Sequence, residues 1–107
     1  MKLPTVHPSA WDDFEAIIRY LADEAGADIA LSFENCVFYY LGEIQREPLM
    51  HHVRRFEVRR VNLRPRFREY YIAYMLWQGK VVVLAIAHAK RRPFYFRARI
   101  KSARRMF

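Results

Sequence analysis

The hydrophobic pattern is strongest in residues 70–92, where two runs of β-branched and aromatic side chains flank the dipeptide Gln78-Gly79. A glycine at such a junction allows the positive φ that a two-residue turn needs, so this stretch predicts a long antiparallel hairpin. Its second arm, residues 81–87, is apolar at every position. We therefore expect both faces of this arm to be buried in the middle of a sheet. The arm ends in a cationic group: His88, Lys90, Arg91 and Arg92.

The N-terminal half predicts two amphipathic helices, since its apolar side chains recur at helical spacing. Ser9 is a good N-cap for the first helix. Asp12 and Asp13 are expected in its first turn, where the helix dipole favours carboxylates. Gly26 is the expected end of this helix, because glycine readily adopts the conformation that follows a C-terminus.

Asp28 is the expected N-cap of the second helix, whose apolar positions continue over residues 29–44 until Glu47-Pro48 ends it. Only a few residues separate the two helices, so they are expected to form an antiparallel hairpin. We expect this helical hairpin to cover one face of the sheet with its apolar stripe.

The remaining strands are predicted on either side of the helices. Residues 3–7 suit a short edge strand, since Pro4 cannot occupy a central position. Residues 53–63 alternate imperfectly and predict a strand with a cationic outer face, followed by a basic loop over 63–68. The side chains expected to face the helices are Phe56, Val58 and Val61.

The pattern of the last stretch, residues 93–107, allows a short basic amphipathic tail, and unanchored terminal segments of this kind often fray. Pro93 ends the ladder, and one helical face carries Phe96, Ile100 and Ala103. The order β-α-α-β-β-β predicts one α+β domain over residues 1–107. In it, a helical hairpin packs on a mostly antiparallel sheet of three to four strands.

Charge is divided unevenly along the chain, whose net charge is +8. Residues 1–50 carry three Lys or Arg against nine Asp or Glu, whereas residues 51–107 carry sixteen against two. A basic half of this kind suits nucleic acid, or a protein partner with acidic residues. The alternative, a merely solvated charged face, is less consistent with so lopsided an excess.

The remaining composition narrows the class of protein. Hydrophobic residues make up 53% of the 107 residues, which favours one compact domain over disorder. The single cysteine, Cys36, excludes an internal disulfide and is expected to be a buried, small apolar residue. With no signal-peptide pattern, membrane-length apolar stretch or metal-ligand spacing, we expect a cytoplasmic protein without metal or cofactor.

The element order, the hairpin and the segment KVVVLAIAHAKRRPFY (residues 80–95) resemble the RelE/ParE toxin superfamily of bacterial type II toxin–antitoxin modules. The resemblance is greatest to its ParE-like plasmid-stabilisation branch and covers almost the whole chain. It implies a small basic toxin that a cognate antitoxin neutralises. ParE-like members inhibit DNA gyrase, whereas RelE-like members cut messenger RNA on the ribosome without a metal.

RelE-type cleavage uses arginines and lysines around the phosphate and a tyrosine or histidine that moves a proton. By this resemblance Arg91 occupies the position of a catalytic arginine, and His88 and Tyr95 are candidates for proton transfer. Each candidate has a structural alternative, a hydrogen-bonded strand end for His88 and a packed aromatic for Tyr95. Tyr71 stands where RelE nucleases carry another arginine, and a phenol cannot replace a guanidinium on a phosphate.

Three functions remain open. The chain is a non-enzymatic ParE-like toxin that binds gyrase, a RelE-like metal-independent endoribonuclease, or a general nucleic-acid-binding module. In each case the same basic side chains are expected to meet the target: Arg64, Arg66, Arg68, Lys90, Arg91 and Arg92.

The antitoxin is expected on the helical hairpin and the sheet edge. There it would bury apolar stripes while its acidic side chains meet the arginines. Without antitoxin, the chain is a candidate homodimer through the same surfaces, although the sequence sets no stoichiometry.

Overall fold

A computed structural model describes residues 2–107, in which a helical hairpin lies on a four-stranded sheet. The elements in chain order are β1 (Thr5–Val6), α1 (Pro8–Ala25), α2 (Ala27–Arg46), a 3₁₀ turn (Arg55–Glu57), β2 (Arg59–Leu63), β3 (Phe67–Trp77), β4 (Lys80–His88) and α3 (Arg97–Met106). The predicted α+β class and the order β-α-α-β-β-β are confirmed. A third helix, α3, follows the last strand.

The predicted strand hairpin is confirmed, since β3 and β4 pair antiparallel on either side of Gln78 and Gly79. Both turn residues have positive φ, 53° at Gln78 and 76° at Gly79. A two-residue turn of this kind matches the twist of the strands that it joins. The sheet order is β1-β4-β3-β2, with β1 parallel to β4 and the other neighbours antiparallel. β4 is therefore an inner strand, as its continuous apolar run predicts.

Each face of the sheet packs against a different helical layer. On one face, α1 and α2 bury side chains such as Phe33 against Val83 of β4. On the other face, α3 buries Ile100 against side chains that include Leu84. The predicted apolar face of residues 96–103 is thus present, and the structure shows it as a helix docked on the sheet. The helix stays docked because it covers apolar strand residues that would otherwise meet water.

The start of α1 differs from the prediction. The helix begins at Pro8, and its N-cap is His7, whose Nδ1 accepts a hydrogen bond from the N–H of Ser9 at 3.0 Å. Ser9 is therefore not the N-cap, and Asp12 and Asp13 lie beyond the first turn. Proline is favoured at the first helical position because its φ is already helical, and this places the start upstream.

Gly26 alone separates α1 from α2, and its φ of 101° is one that side chains rarely adopt. It ends α1 as predicted. It is also the N-cap of α2, so Asp28 lies in the first turn of that helix rather than at the predicted cap. α2 ends at Arg46, next to the predicted stop. Within residues 2–107, no helix combines the length and hydrophobicity needed to cross a membrane.

The strand predicted over residues 53–63 is only partly present, since β2 starts at Arg59. A tight turn precedes it, with Phe56 at a φ of 61°. Phe56 and Val58 consequently pack on the α3 side of the sheet, contrary to the prediction, whereas Val61 faces the helical hairpin as predicted. Val58 and Val61 are three positions apart, so strand alternation itself places them on opposite faces of the sheet, and the prediction of one shared face is wrong.

Candidate functional site

The end of β4 borders a cleft of about 590 Å³ beside α1. Asp12 and Tyr20 belong to the α1 wall of this cleft. The other wall brings together three of the predicted site residues: His88, Lys90 and Arg91. Lys90 and Arg91 are exposed, so their charges are accessible to an anionic partner.

His88 is fixed by its contacts at the last position of β4. Its Nδ1 accepts a hydrogen bond from the N–H of Lys90 at 3.0 Å. Its ring lies edge-on to the ring of Tyr70, with 4.9 Å between centroids. The carbonyl of His88 also accepts a hydrogen bond from the N–H of Arg91. His88 therefore shapes the turn that carries both cations, and its part in proton transfer stays a prediction.

A buried ion pair between Asp13 and Arg99 lies against this cleft. Two guanidinium nitrogens of Arg99 donate to the two carboxylate oxygens of Asp13, at 2.7 and 3.2 Å. The side chains are only 7% exposed for Asp13 and 18% for Arg99. Burial alone lowers the pKa of Arg99, but the hydrogen bonds and charge of Asp13 outweigh it and raise that pKa. The two residues are 86 positions apart, so no local spacing in the sequence reveals the pair.

This ion pair completes the edge of β4. β1 is two residues long, shorter than the predicted edge strand, and pairs with β4 no further than Val83. Beyond that point, the carbonyl of Leu84 accepts a hydrogen bond from Arg99 at 3.0 Å. The N–H of Ile86 donates to Asp13 at 3.1 Å. Two side chains thus take the place of a longer edge strand and satisfy backbone groups that burial would otherwise leave without partners.

Tyr95 joins the same network through its hydroxyl, which donates to Asp13 Oδ2 at 3.1 Å. Burial, and then the negative charge of Asp13, raise the pKa of Tyr95. The guanidinium carbons of Arg91 and Arg99 lie 3.9 and 5.2 Å from the centroid of the Tyr95 ring. Two cations therefore lie close to this ring, and the phenol proton is directed at a buried carboxylate.

Tyr71 stands where RelE nucleases carry an arginine, yet a guanidinium group from elsewhere in the chain lies on its ring. It belongs to Arg60 of β2, whose guanidinium carbon is 3.9 Å from the ring centroid. The Nε of Arg60 is buried without a hydrogen-bond partner among the described residues, and burial lowers the pKa of Arg60. The contact runs diagonally between β2 and β3, since Asn62, and not Arg60, lies opposite Tyr71. Strand pairing read from the sequence would therefore not reveal it.

The predicted loop arginines lie outside the cleft. Arg64 and Arg66 border a separate hollow beside α2, and Tyr39 of α2 also lines this hollow. The backbone there is held by the Tyr40 hydroxyl, which donates to the carbonyl of Arg64 at 3.0 Å. Arg68 is exposed near the start of β3. The loop arginines therefore do not join the cationic wall of the cleft.

Arg92 is separated from Arg91 despite being its neighbour in sequence. Arg91 lines the cleft beside α1, whereas Arg92 lines a hollow next to α3. The side chains around Arg92 include Arg55, Phe56, Phe94 and Arg97. The basic group predicted at the end of β4 therefore divides between two surfaces.

Comparison with known proteins places this chain in a family. A search of curated proteins gave no match. Residues 5–93 match the family described as "ParE toxin of type II toxin-antitoxin system, parDE". The match extends from β1 past the end of β4 and stops before α3. It confirms the resemblance carried by the hairpin and by residues 80–95, and it implies an antitoxin partner. The chain belongs to the ParE toxin family of type II toxin–antitoxin systems.

Proposed function

We propose that this toxin arrests bacterial growth in the cytoplasm by binding DNA gyrase through its basic C-terminal half, and that a cognate antitoxin neutralises it. Membership of the ParE family supports the proposal. The observation that carries the choice between binding and RNA cleavage is the hydrogen bond from the Tyr95 hydroxyl to Asp13. With that phenol engaged by a buried carboxylate, a binding function fits better than a nuclease.

A nuclease of the RelE kind needs an acid or base whose pKa lies near the working pH and which reaches the substrate. Burial and Asp13 raise the pKa of Tyr95, so this phenol holds its proton more tightly than a free tyrosine. His88 already uses Nδ1 to accept from Lys90. Tyr95 is thus better suited to a structural contact with Asp13 than to moving protons, and His88 has only its Nε2 for that role.

One observation keeps the endoribonuclease as a second candidate. Burial raises the pKa of Tyr71, while the positive charges of Arg60 and Arg91 oppose that rise. Two guanidinium groups therefore act on the same phenol. In a nuclease, Arg60 would supply the charge that Tyr71 cannot, and Arg91 would meet the scissile phosphate.

We place the antitoxin across the helical hairpin and the cleft. Tyr20, Leu31 and Tyr39 on the two helices are 58%, 56% and 60% exposed, which is high for large apolar side chains. Tyr20 also lines the cleft that contains Lys90 and Arg91. An amphipathic antitoxin segment can bury the apolar side chains and set its carboxylates against the two cations. The same apolar side chains are the candidate contact of a toxin homodimer.

A supercoiling assay with purified gyrase tests the proposed target. The toxin is expected to inhibit supercoiling, and the variant Lys90→Gln/Arg91→Gln to inhibit about tenfold less, as expected when central charged contacts are lost. The variant Arg19→Gln/Arg46→Gln removes the same charge from exposed positions of the helical hairpin and should inhibit like the unaltered protein. Growth arrest with intact supercoiling would contradict the gyrase proposal.

Primer extension on translated messages separates the alternatives. Codon-linked cuts that appear on induction, together with unaffected supercoiling, would establish the endoribonuclease instead. Salt-sensitive binding to random DNA and RNA without either activity would leave only a general nucleic-acid-binding module.

A further inference from the structure

A separate basic surface lies along α3 and the turn before it, on the side away from the helical hairpin. Its cations line two adjoining hollows, of about 390 and 470 Å³, which share Phe56 and Arg97. We name this set of exposed residues the α3 basic face: Arg55, Arg92, Arg97, Lys101 and Arg104. Only Arg92 among them belongs to the basic residues that the sequence predicts to meet a target.

Phe56 organises this face. The guanidinium carbons of Arg55 and Arg97 lie 5.0 and 4.5 Å from the centroid of its ring. Phe94 meets Phe56 edge-to-face, with 5.4 Å between centroids, and lies 5.6 Å from the Arg55 guanidinium carbon. Phe56 and Phe94 both have positive φ, 61° and 55°, a backbone conformation that bulky residues rarely adopt. The chain thus adopts an unfavourable backbone at the two positions that support the arginines.

The cations of this face have almost no counter-ions within the protein. Within residues 2–107, the one carboxylate in ion-pair range of its cations is that of Glu57, 4.0 Å from Arg104. Arg97, Lys101 and Arg104 are spaced four and three residues apart and so project from one side of α3. The opposite side of the helix is buried against the sheet. Like charges gathered in this way repel one another, and a polyanion relieves that repulsion.

We propose that the α3 basic face binds the phosphodiester backbone of nucleic acid without reading base sequence. Charge supplies most of the affinity in such binding, through arginine and lysine contacts to phosphate. The ring of Phe56 is covered by two guanidinium groups, so it is not free to stack on a base. What remains exposed is the N–H edges of the guanidinium groups, which suit phosphate oxygens.

An acidic peptide fits this face less well. Peptide recognition relies on apolar anchors that fill pockets, in addition to charge. The large apolar side chains that line the hollows, such as Phe56, Phe94 and Ile100, are partly or fully buried. Of the large exposed hydrophobic side chains in the described residues, Met106 alone lies on α3, and it lines neither hollow. The exposed apolar side chains of the helical hairpin, where we place the antitoxin, belong to other elements of the fold.

Binding of a short fluorescent duplex of random sequence to the full chain, followed by anisotropy over a range of NaCl concentrations, tests the proposal. Arg97→Gln/Lys101→Gln should lower the slope of log Kd against log salt by about 1.8, since each lost phosphate contact contributes about 0.9. The matched control Arg19→Gln/Arg46→Gln should keep the slope of the unaltered protein. If the double variant fails to fold by circular dichroism, Arg104→Gln at an exposed position should lower the slope by about 0.9.

The assay contains no gyrase, so its outcome is independent of the proposed target. Equal slopes for the α3 variants and the control would overturn the proposal. A reduced slope for Lys90→Gln/Arg91→Gln alone would overturn it by assigning the binding to the cleft. Tighter binding of a fluorescent polyglutamate than of the duplex at the same salt concentration would overturn it in favour of an acidic protein partner.

Discussion

Asp13 and Arg99 tie the first helix to the last across the edge of β4 through a bidentate ion pair. The same carboxylate also accepts hydrogen bonds from the N–H of Ile86 and the hydroxyl of Tyr95. The Asp13 charge is therefore satisfied by hydrogen bonds as well as by its counter-ion. A buried ion pair stabilises a fold only under that condition, because desolvation of both charges is costly.

Replacement of Asp13 by alanine should lower the free energy of unfolding by about 3–5 kcal/mol, because it leaves a buried guanidinium without a counter-ion. Urea denaturation measures the change. Arg46→Ala is the control, because that side chain is 66% exposed and its pair with Glu43 lies at the surface. This control should lower the free energy of unfolding by no more than about 1 kcal/mol. Similar losses for both variants would show that the Asp13–Arg99 pair is not a main support of the fold.

Tyr95→Phe separates a structural from a catalytic phenol. It removes one hydrogen bond to a charged group and should cost about 1.5 kcal/mol in the free energy of unfolding. Growth arrest on induction should persist if the toxin acts by binding. A folded Tyr95→Phe protein that no longer arrests growth would contradict the binding proposal and favour the endoribonuclease.

The hairpin and the two long helices follow from local sequence patterns. The apolar run of residues 81–87 requires two buried faces, and Gly79 permits the turn; both features depend on neighbours in sequence. The helical periods of α1 and α2 are equally local. The predicted cap of α1 is wrong because Pro8 at the first helical position starts the helix upstream of Ser9.

The site is less predictable because its contacts are long-range. His88, Lys90 and Arg91 are close in sequence and share the cleft. The side chains that support them, above all Asp13, come from another part of the chain, and no periodicity marks them. The sequence predicts that the adjacent Arg91 and Arg92 both meet the target. The turn after β4 separates them, and its conformation is set by contacts that a single sequence does not specify.

Substitution of Ile100, a buried side chain of α3 that is 7% exposed, tests whether this helix is docked on the sheet. Ile100→Ala removes apolar contacts with the sheet and leaves a cavity, so it should cost about 2–4 kcal/mol in the free energy of unfolding. Lys101→Ala at the exposed neighbouring position should change it by less than about 0.5 kcal/mol. Equal, small changes would show that docking of α3 contributes little to the stability of the fold.

Gly79→Ala tests the turn between β3 and β4. No atom lies within 4 Å of the position that an added Cβ would take, so the cost is conformational and not steric contact with a neighbour. At a φ of 76° we expect a loss of about 1–2 kcal/mol in urea denaturation. Gln78→Asn is the companion variant, since asparagine tolerates positive φ better and should not destabilise the protein. An unchanged Gly79→Ala protein would argue that the turn relaxes without cost.

His7 links the start of α1 to α3. Its Nδ1 accepts a hydrogen bond from the N–H of Ser9, and its Nε2 lies 2.7 Å from Ser102 Oγ. Burial, and then the positive charge of Arg99, lower the pKa of His7 from its ordinary value of 6.5, while Asp13 opposes that effect. The folded protein therefore holds this histidine neutral at pH values where the unfolded chain begins to protonate it.

Acidification should consequently destabilise the protein. As the pH falls below about 6.5, the unfolded chain binds a proton at His7 that the folded chain does not, so the free energy of unfolding decreases. His7→Asn keeps a side-chain acceptor for the helix cap but cannot titrate, and its stability should vary less with pH over this range. Some dependence should remain, because burial and Arg59 also lower the pKa of His51. Chemical denaturation at a series of pH values measures both curves, and curves of the same slope would exclude His7 as a source of the effect.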